Sequence, residues 1–204
     1  MITIVDYGLG NVQAFLNVYN RLNIPATAAR TAGDLSGAAR IILPGVGAFD
    51  HAMERLEQSG MRATLDEMVL DRRIPVLGVC VGMQMMAHGS DEGDRHGLGW
   101  VEGRVRALED WPSAQRLPVP HMGWNDVTPR TATMLFQGLE SDARFYFLHS
   151  YYFECHRPED VLAVSRYGDD FSSAVQRDNI HGVQFHPEKS HQFGTRLLKN
   201  FAEG

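Results

Sequence analysis

The stretch Pro75-Val76-Leu77-Gly78-Val79-Cys80-Val81-Gly82 decides the fold. Pro75–Val79 is a short apolar run of strand character, and Gly82–Ala87 is expected to begin a helix. The same pattern stands twice upstream. Met1–Val5 is an apolar strand, and Asp6-Tyr7-Gly8-Leu9-Gly10-Asn11 is a glycine turn. A helix follows over Val12–Leu22, with Val12, Phe15, Leu16, Tyr19 and Leu22 at helical spacing. Pro25 ends that unit. Ile41-Ile42-Leu43 is a second strand, Pro44-Gly45-Val46-Gly47 its glycine turn, and Ala48–Leu56 its helix. Strand, glycine turn and helix, repeated three times, predict a parallel sheet. Ligands of such sheets bind beyond the carboxyl ends of the strands. All three glycine turns should therefore open on one edge.

Downstream the pattern changes. Strand-like runs lie close together at Trp100–Ala107, Arg144–Leu148, Tyr151–Cys155, Val161–Arg166, Ser173–Gln176 and Gly182–Phe185. Turn signals such as Gly168-Asp169-Asp170 and Arg177-Asp178-Asn179 separate them. This half is expected to be antiparallel in part, and a helix over Gln192–Phe201 closes the chain. The fold class is α/β, with a parallel core and an antiparallel extension. Repeats, low-complexity tracts and linkers are absent from the sequence, so residues 1–204 read as a single domain.

Composition narrows the functions. The 204 residues are 44% hydrophobic and 22% charged, as in soluble globular proteins. A net charge of −6 without a basic block argues against a sequence-independent grip on nucleic acid. No apolar run approaches the roughly 18 residues of a membrane span. Met1–Asp6 lacks the basic region and cleavage site of a signal peptide. Two cysteines, Cys80 and Cys155, then read as reduced thiols of a cytoplasmic protein.

Gly78-Val79-Cys80-Val81-Gly82 is a nucleophile elbow with cysteine in place of serine. A strand that turns abruptly into a helix pushes its central side chain out, and only small residues fit two positions either side. The helix start would favour a thiolate, the reactive form. The Val81 N–H would face a developing oxyanion. Cys155 has no glycine bracket and reads as a structural residue. Further on stands His186-Pro187-Glu188. Pro187 biases His186 toward an extended conformation, and residues two apart then share a face. His186 and Glu188 thus suit a base and its orienter. The alternative is zinc ligation by Cys80, Cys155, His149, His156, His186 and His191. None of the spacings typical of zinc sites is present.

With these segments the sequence resembles the class I (triad) glutamine amidotransferases, most closely their histidine-biosynthesis branch. The likeness runs the length of the chain. It is carried by the Ile4–Asn11, Leu43–Phe49 and Leu77–Gln84 segments, by His121-Met122-Gly123-Trp124-Asn125, by Phe147–Tyr152 and by Val183–Ser190. It implies a flavodoxin-like sheet and a glutaminase that needs no cofactor or metal. In that reading Cys80, His186 and Glu188 are catalytic. Val81 and the Gly45-Val46-Gly47 backbone supply oxyanion donors, and the small residues let that peptide reorient. Gln84, Ser150 and Tyr151 hold the substrate. The implied partner is a (β/α)8-barrel cyclase, in a heterodimer, that consumes the ammonia. Asn11, Trp124, Tyr146 and Lys189 would face it, although the residues themselves read equally well as ordinary surface or core positions. The competing readings are a paralogous subunit feeding another ammonia acceptor, a freestanding γ-glutamyl hydrolase, and a non-catalytic binding module on the same fold. The met cluster Met83, Met85 and Met86 reads as core packing.

Overall fold

A computed structural model describes residues 1–111 and 117–204. The first half builds three strand–turn–helix units. They are β1 (Ile2–Val5) with α1 (Val12–Arg21), β3 (Arg40–Gly45) with α2 (Phe49–Gln58), and β4 (Val76–Cys80) with α4 (Val81–Gln84). A further strand, β2 (Ala26–Ala29), follows α1, and a short helix, α3 (Arg62–Asp66), follows α2. The second half holds β5 (Gly103–Ala107), β6 (His121–Asp126), β7 (Thr128–Pro129), β8 (Arg144–His149), β9 (Tyr151–Cys155), β10 (Val161–Tyr167), β11 (Asp169–Arg177) and β12 (Ile180–Val183). Helix α5 (His191–Glu203) ends the chain.

The main sheet runs β2-β1-β3-β4-β12-β11-β10-β7, with β9 on β11 and β5 on β9. Its first five strands are parallel. From β11 outward the pairing is antiparallel. β1 and β4 are buried at every position, as expected of central strands covered on both faces. The core is continuous across both halves, with Phe15, Phe49, Trp100, Phe147, Phe153 and Phe185 among its largest members.

The placement of the last strand matters most for the site. Sequence places Gly182–Phe185 in a half expected to be antiparallel in part, without saying which strands it joins. In the structure β12 is the fifth parallel strand, beside β4, with Gly182 opposite Gly78 and Val183 opposite Val79. The segment that follows β12 therefore emerges at the edge where β4 ends in Cys80. A Cβ on Gly182 would stand 2.7 Å from Met83 Cγ, so this close approach needs a glycine.

Other boundaries shift for identifiable reasons. The helix expected over Gly82–Ala87 is four residues, Val81–Gln84. The Met85, Met86 and Ala87 carbonyls instead accept from the Leu98, Val101 and Gly99 amides. The strand expected from Trp100 begins at Gly103, because Trp100 Nε1 donates to Asp66 at 2.8 Å and Val101 is tied to Met86. β6 is absent from the expected strands. It pairs with β8 in a separate antiparallel ribbon, His121 opposite His149 and Trp124 opposite Tyr146. β2 is also unexpected, since Ala-Thr-Ala-Ala carries little strand signal of its own and is held by pairing with β1.

Candidate active site

Cys80 ends β4 at φ +55° and ψ −114°, a conformation that costs energy in any residue with a side chain. The two flanking glycines make the turn possible. A Cβ on Gly78 would lie 2.6 Å from Met86 Cε and 2.7 Å from the Gly82 carbonyl oxygen. A Cβ on Gly82 would overlap the Leu43 carbonyl group. The small residues at both positions are thus enforced by backbone contact, as the elbow argument requires. Cys80 is 4% exposed. Its Sγ lies 3.8 Å from Gln184 Nε2 and 3.9 Å from the Leu148 carbonyl oxygen.

His186 stands three residues beyond β12. It is extended at φ −102°, and Pro187–Lys189 form a single 3-10 turn after it. That turn, rather than strand alternation, brings Glu188 back to the ring. His186 Nδ1 meets Glu188 Oε1 at 2.9 Å, and the two side chains are 4% and 2% exposed. The backbone is well held. His186 N–H donates to the Tyr146 carbonyl at 2.8 Å, and Ser190 Oγ donates to the His186 carbonyl at 2.6 Å. Burial opposes a charge on His186. Its interactions with Cys80, and then with Glu188, outweigh that and push its pKa up to about 10. The imidazolium is accordingly the resting form at neutral pH.

A cavity of about 310 Å³ opens above these groups. Val46, Gly47, Cys80, Val81, Gln84, Ser150, Tyr151, His186 and Lys189 line it, all of them named from sequence. Of the three glycine turns, the second and third reach this wall. The first packs behind them: Tyr7 Oη donates to the Pro44 carbonyl at 2.8 Å, and a Cβ on Gly10 would stand 2.6 Å from Pro44 Cβ. Val81 begins α4, where helix geometry leaves N–H groups without intrahelical partners. The Gly45–Gly47 segment divides in two. Gly45 is buried at the end of β3, and a Cβ there would run into the Val81–Gly82 backbone. Gly47 has φ +85° with open space around its Cβ position, so only its conformation calls for glycine. Freedom to reorient therefore belongs to the Val46–Gly47 part.

Gln84 is 3% exposed and donates to the Tyr151 carbonyl and to Gln184 Oε1, both at 3.0 Å. Trp124 stacks on His191 with centroids 5.4 Å apart and meets Tyr146 edge-on at 6.4 Å. Asn11 is exposed at the start of α1 and takes no part in the cavity wall. Cys155 lies on β9, and burial pushes its thiol up to about 12, in keeping with a structural role. Sequence reasoning missed Gln184, Glu92, Leu148 and Pro120. Glu92 reaches across the cavity rim to accept the Phe49 N–H at 2.8 Å, the first amide of α2. The loop after it, Asp94-Arg95-His96, is anchored by Asp50, which accepts from the Asp94 and Arg95 amides at 3.0 Å.

An elbow cysteine and a His–Glu pair meeting at the carboxyl edge of a parallel sheet define a thiol acyl-transfer site. The chain belongs to the class I glutamine amidotransferase family, whose model matches residues 3–203. It is 62% identical to the imidazole glycerol phosphate synthase subunit HisH of Bdellovibrio bacteriovorus, over 100% of both chains. It is 49% identical to the subunit of the same name from Leptospira borgpetersenii, over 99% of both. A solved glutamine amidotransferase superposes with a TM-score of 0.74 at 20% identity, over 99% of this chain and 97% of that one. Another, from Thermotoga maritima, gives 0.64 at 17%, over 97% and 80%. These two likenesses concern the fold. No helix is long and apolar enough to cross a membrane among the described residues.

Proposed function

We propose that this chain, a single amidotransferase domain over residues 1–204, is the glutaminase subunit of an imidazole glycerol phosphate synthase. The observation that carries the reading is the Cys80–His186–Glu188 constellation, with Cys80 and His186 on the cavity wall and Glu188 on the far side of the imidazole. Full-length identity of 62% to a relative named as that subunit supplies the pathway.

The thiolate of Cys80 attacks the side-chain amide carbon of glutamine. The resulting oxyanion takes hydrogen bonds from the Val81 N–H and from the Val46–Gly47 peptide, with Gly45 fixing where that peptide starts. Losing one such donor costs about a hundredfold or more, enough for its orientation to gate the enzyme. His186 gives its proton to the amide nitrogen, the C–N bond breaks, and ammonia leaves a γ-glutamyl thioester. His186 then takes a proton from water as the oxygen attacks the thioester carbon. Glutamate departs, and thiolate and imidazolium are restored. Glu188 holds Nδ1 and keeps the ring in register throughout. Gln84, Ser150 and Tyr151 hold the amino-acid end of the substrate.

Ammonia is protonated and lost in water, so the cavity mouth needs a partner sealed over it. The partner in this reading is a separate (β/α)8-barrel cyclase subunit. Lys189 lines the cavity, and Trp124 and Tyr146 pair across the β6–β8 ribbon whose Leu148 is also on its wall; in this reading these residues and Asn11 face the partner. The test is glutamate release from glutamine with and without the cyclase carrying its nucleotide ligand. A large rise on adding the loaded partner is expected, abolished in Cys80→Ala. High activity of the chain alone would mean a freestanding hydrolase.

A further inference from the structure

Running inward from the cavity wall, which His149 itself lines, is a buried imidazole pair that the chemistry above leaves unused. His121 and His149 are 3% and 6% exposed. His149 Nδ1 is 2.8 Å from the Tyr151 carbonyl oxygen. A carbonyl only accepts, so Nδ1 carries the proton. Burial, reinforced by the neighbouring His121 and His186 and opposed by that carbonyl, pushes His149 down to about 3. Its Nε2 is therefore bare at neutral pH and accepts. The partner is His121 Nδ1, at 2.9 Å, which must donate. Burial also pushes His121 down, to about 4, so its own Nε2 accepts, from Asn125 Nδ2 at 3.3 Å.

The far end is fixed independently. Asn125 Nδ2 also donates to the Arg166 carbonyl at 2.9 Å, and Asn125 Oδ1 takes the Asp126 N–H at 2.8 Å. Backbone groups at both ends thus dictate one direction for every link. The direction continues past Tyr151. Gln84 Nε2 donates to the same carbonyl and to Gln184 Oε1, which leaves Gln184 Nε2 aimed at the Cys80 sulfur. Gln84 Oε1 is left for the cavity. His121 lies between the Phe147 and Tyr167 rings, at 4.8 and 4.1 Å, which shields it from water. An uncharged His149 also spares the His186 imidazolium a repelling neighbour.

We propose that His121 and His149 are positioning residues. Their hydrogen-bonded pair sets the Tyr151 carbonyl, and through it the amide orientations of Gln84 and Gln184, in the arrangement that receives glutamine. The assignment rests on the glutaminase reading, and two measurements separate the one from the other. The first is nitrogen-15 NMR of the histidine-labelled chain. Both imidazoles should be neutral at pH 7 with the proton on Nδ1. A proton on Nε2 of either ring, or titration of either near pH 6.5, overturns the relay whatever the enzyme does. The second is steady-state glutaminase kinetics of the complex with the cyclase. His149→Phe keeps the packing and removes both links. It should raise KM for glutamine about tenfold and change kcat less than threefold. His149→Asn keeps a donor at the Nδ1 position and should recover most of the loss. An unchanged KM in His149→Phe, or equal defects in both variants, overturns the role. If the unaltered complex releases no glutamate, the functional reading falls, and the NMR result still decides the relay.

Discussion

His186 shows how much of this site is electrostatic. A histidine buried without a counter-charge loses its own, as His121 and His149 do. His186 is buried as well, yet its pKa is pushed up to about 10, because Cys80 and Glu188 bracket the ring. Stability follows from that difference. A group whose pKa is raised on folding stabilises the fold fully below its unfolded value, near 6.5. The contribution then fades as pH climbs toward 10. Thermal melts of the unaltered chain should therefore lose stability over that window. Cys80→Ala removes the sulfur, the foremost influence raising the ring, so its melting temperature should depend less on pH there. Parallel curves for the two proteins would show that the sulfur does not hold the imidazolium.

At the scale of elements, the site is made by how closely β3, β4 and α4 approach one another. The room at Gly82 is occupied by the Leu43 carbonyl, a backbone group that cannot swing aside. Gly82→Ala should therefore cost about 1–3 kcal/mol, typical of forcing an extra methyl into a packed interior. Each kcal/mol lowers the melting temperature by about 2–4 °C in a chain of this size. Gly33→Ala is the control, since its Cβ would come no nearer than 3.8 Å to Thr31 Oγ1. It should melt within a degree or so of the unaltered chain. Equal melting of both variants would mean that the elbow yields more easily than its geometry implies.

The same elements show what the sequence could convey. Gly78, Gly82 and the three strand–turn–helix units were legible because local rules govern them: a strand needs apolar residues, and an elbow needs glycines at fixed offsets. Gly45 was legible as small but for a different reason from the one inferred, since the constraint is contact with α4. The placement of β12 and the existence of β6 were not legible, because their partners lie far away in sequence. Nothing in Gly182–Phe185 says that it inserts beside β4, a strand about a hundred residues upstream. Gln184 and the His121–His149 pair are likewise defined only by partners that the fold delivers. In sequence His149 is a member of the Phe147–Tyr152 segment and a conceivable zinc ligand, and neither reading names its hydrogen-bond partners, the Tyr151 carbonyl and His121.

On the whole molecule, exposed apolar side chains gather where the proposed chemistry needs a seal. Val46 and Leu148, 39% and 38% exposed, stand on the cavity wall. Met122, 65% exposed, lies opposite Leu148 in the β6–β8 ribbon. Trp124, 40% exposed, is two residues further along the same face, opposite Tyr146. Such grouping at one place marks an interaction surface, whereas single exposed residues need no explanation. Tryptophan is the residue type that most often carries binding energy at such surfaces. Its ring contacts within this chain are His191 and Tyr146, both at the surface rim, so truncation should leave the core intact. Trp124→Ala should therefore weaken binding of the cyclase partner by about 2 kcal/mol, close to thirtyfold in Kd, with little change in melting temperature. Met134→Ala is the matched control, being 56% exposed but away from the cavity wall. Calorimetric titration of each variant with the partner checks both. Equal Kd values for the two variants would move the interface elsewhere, and the sealed-mouth account of ammonia transfer would lose its surface.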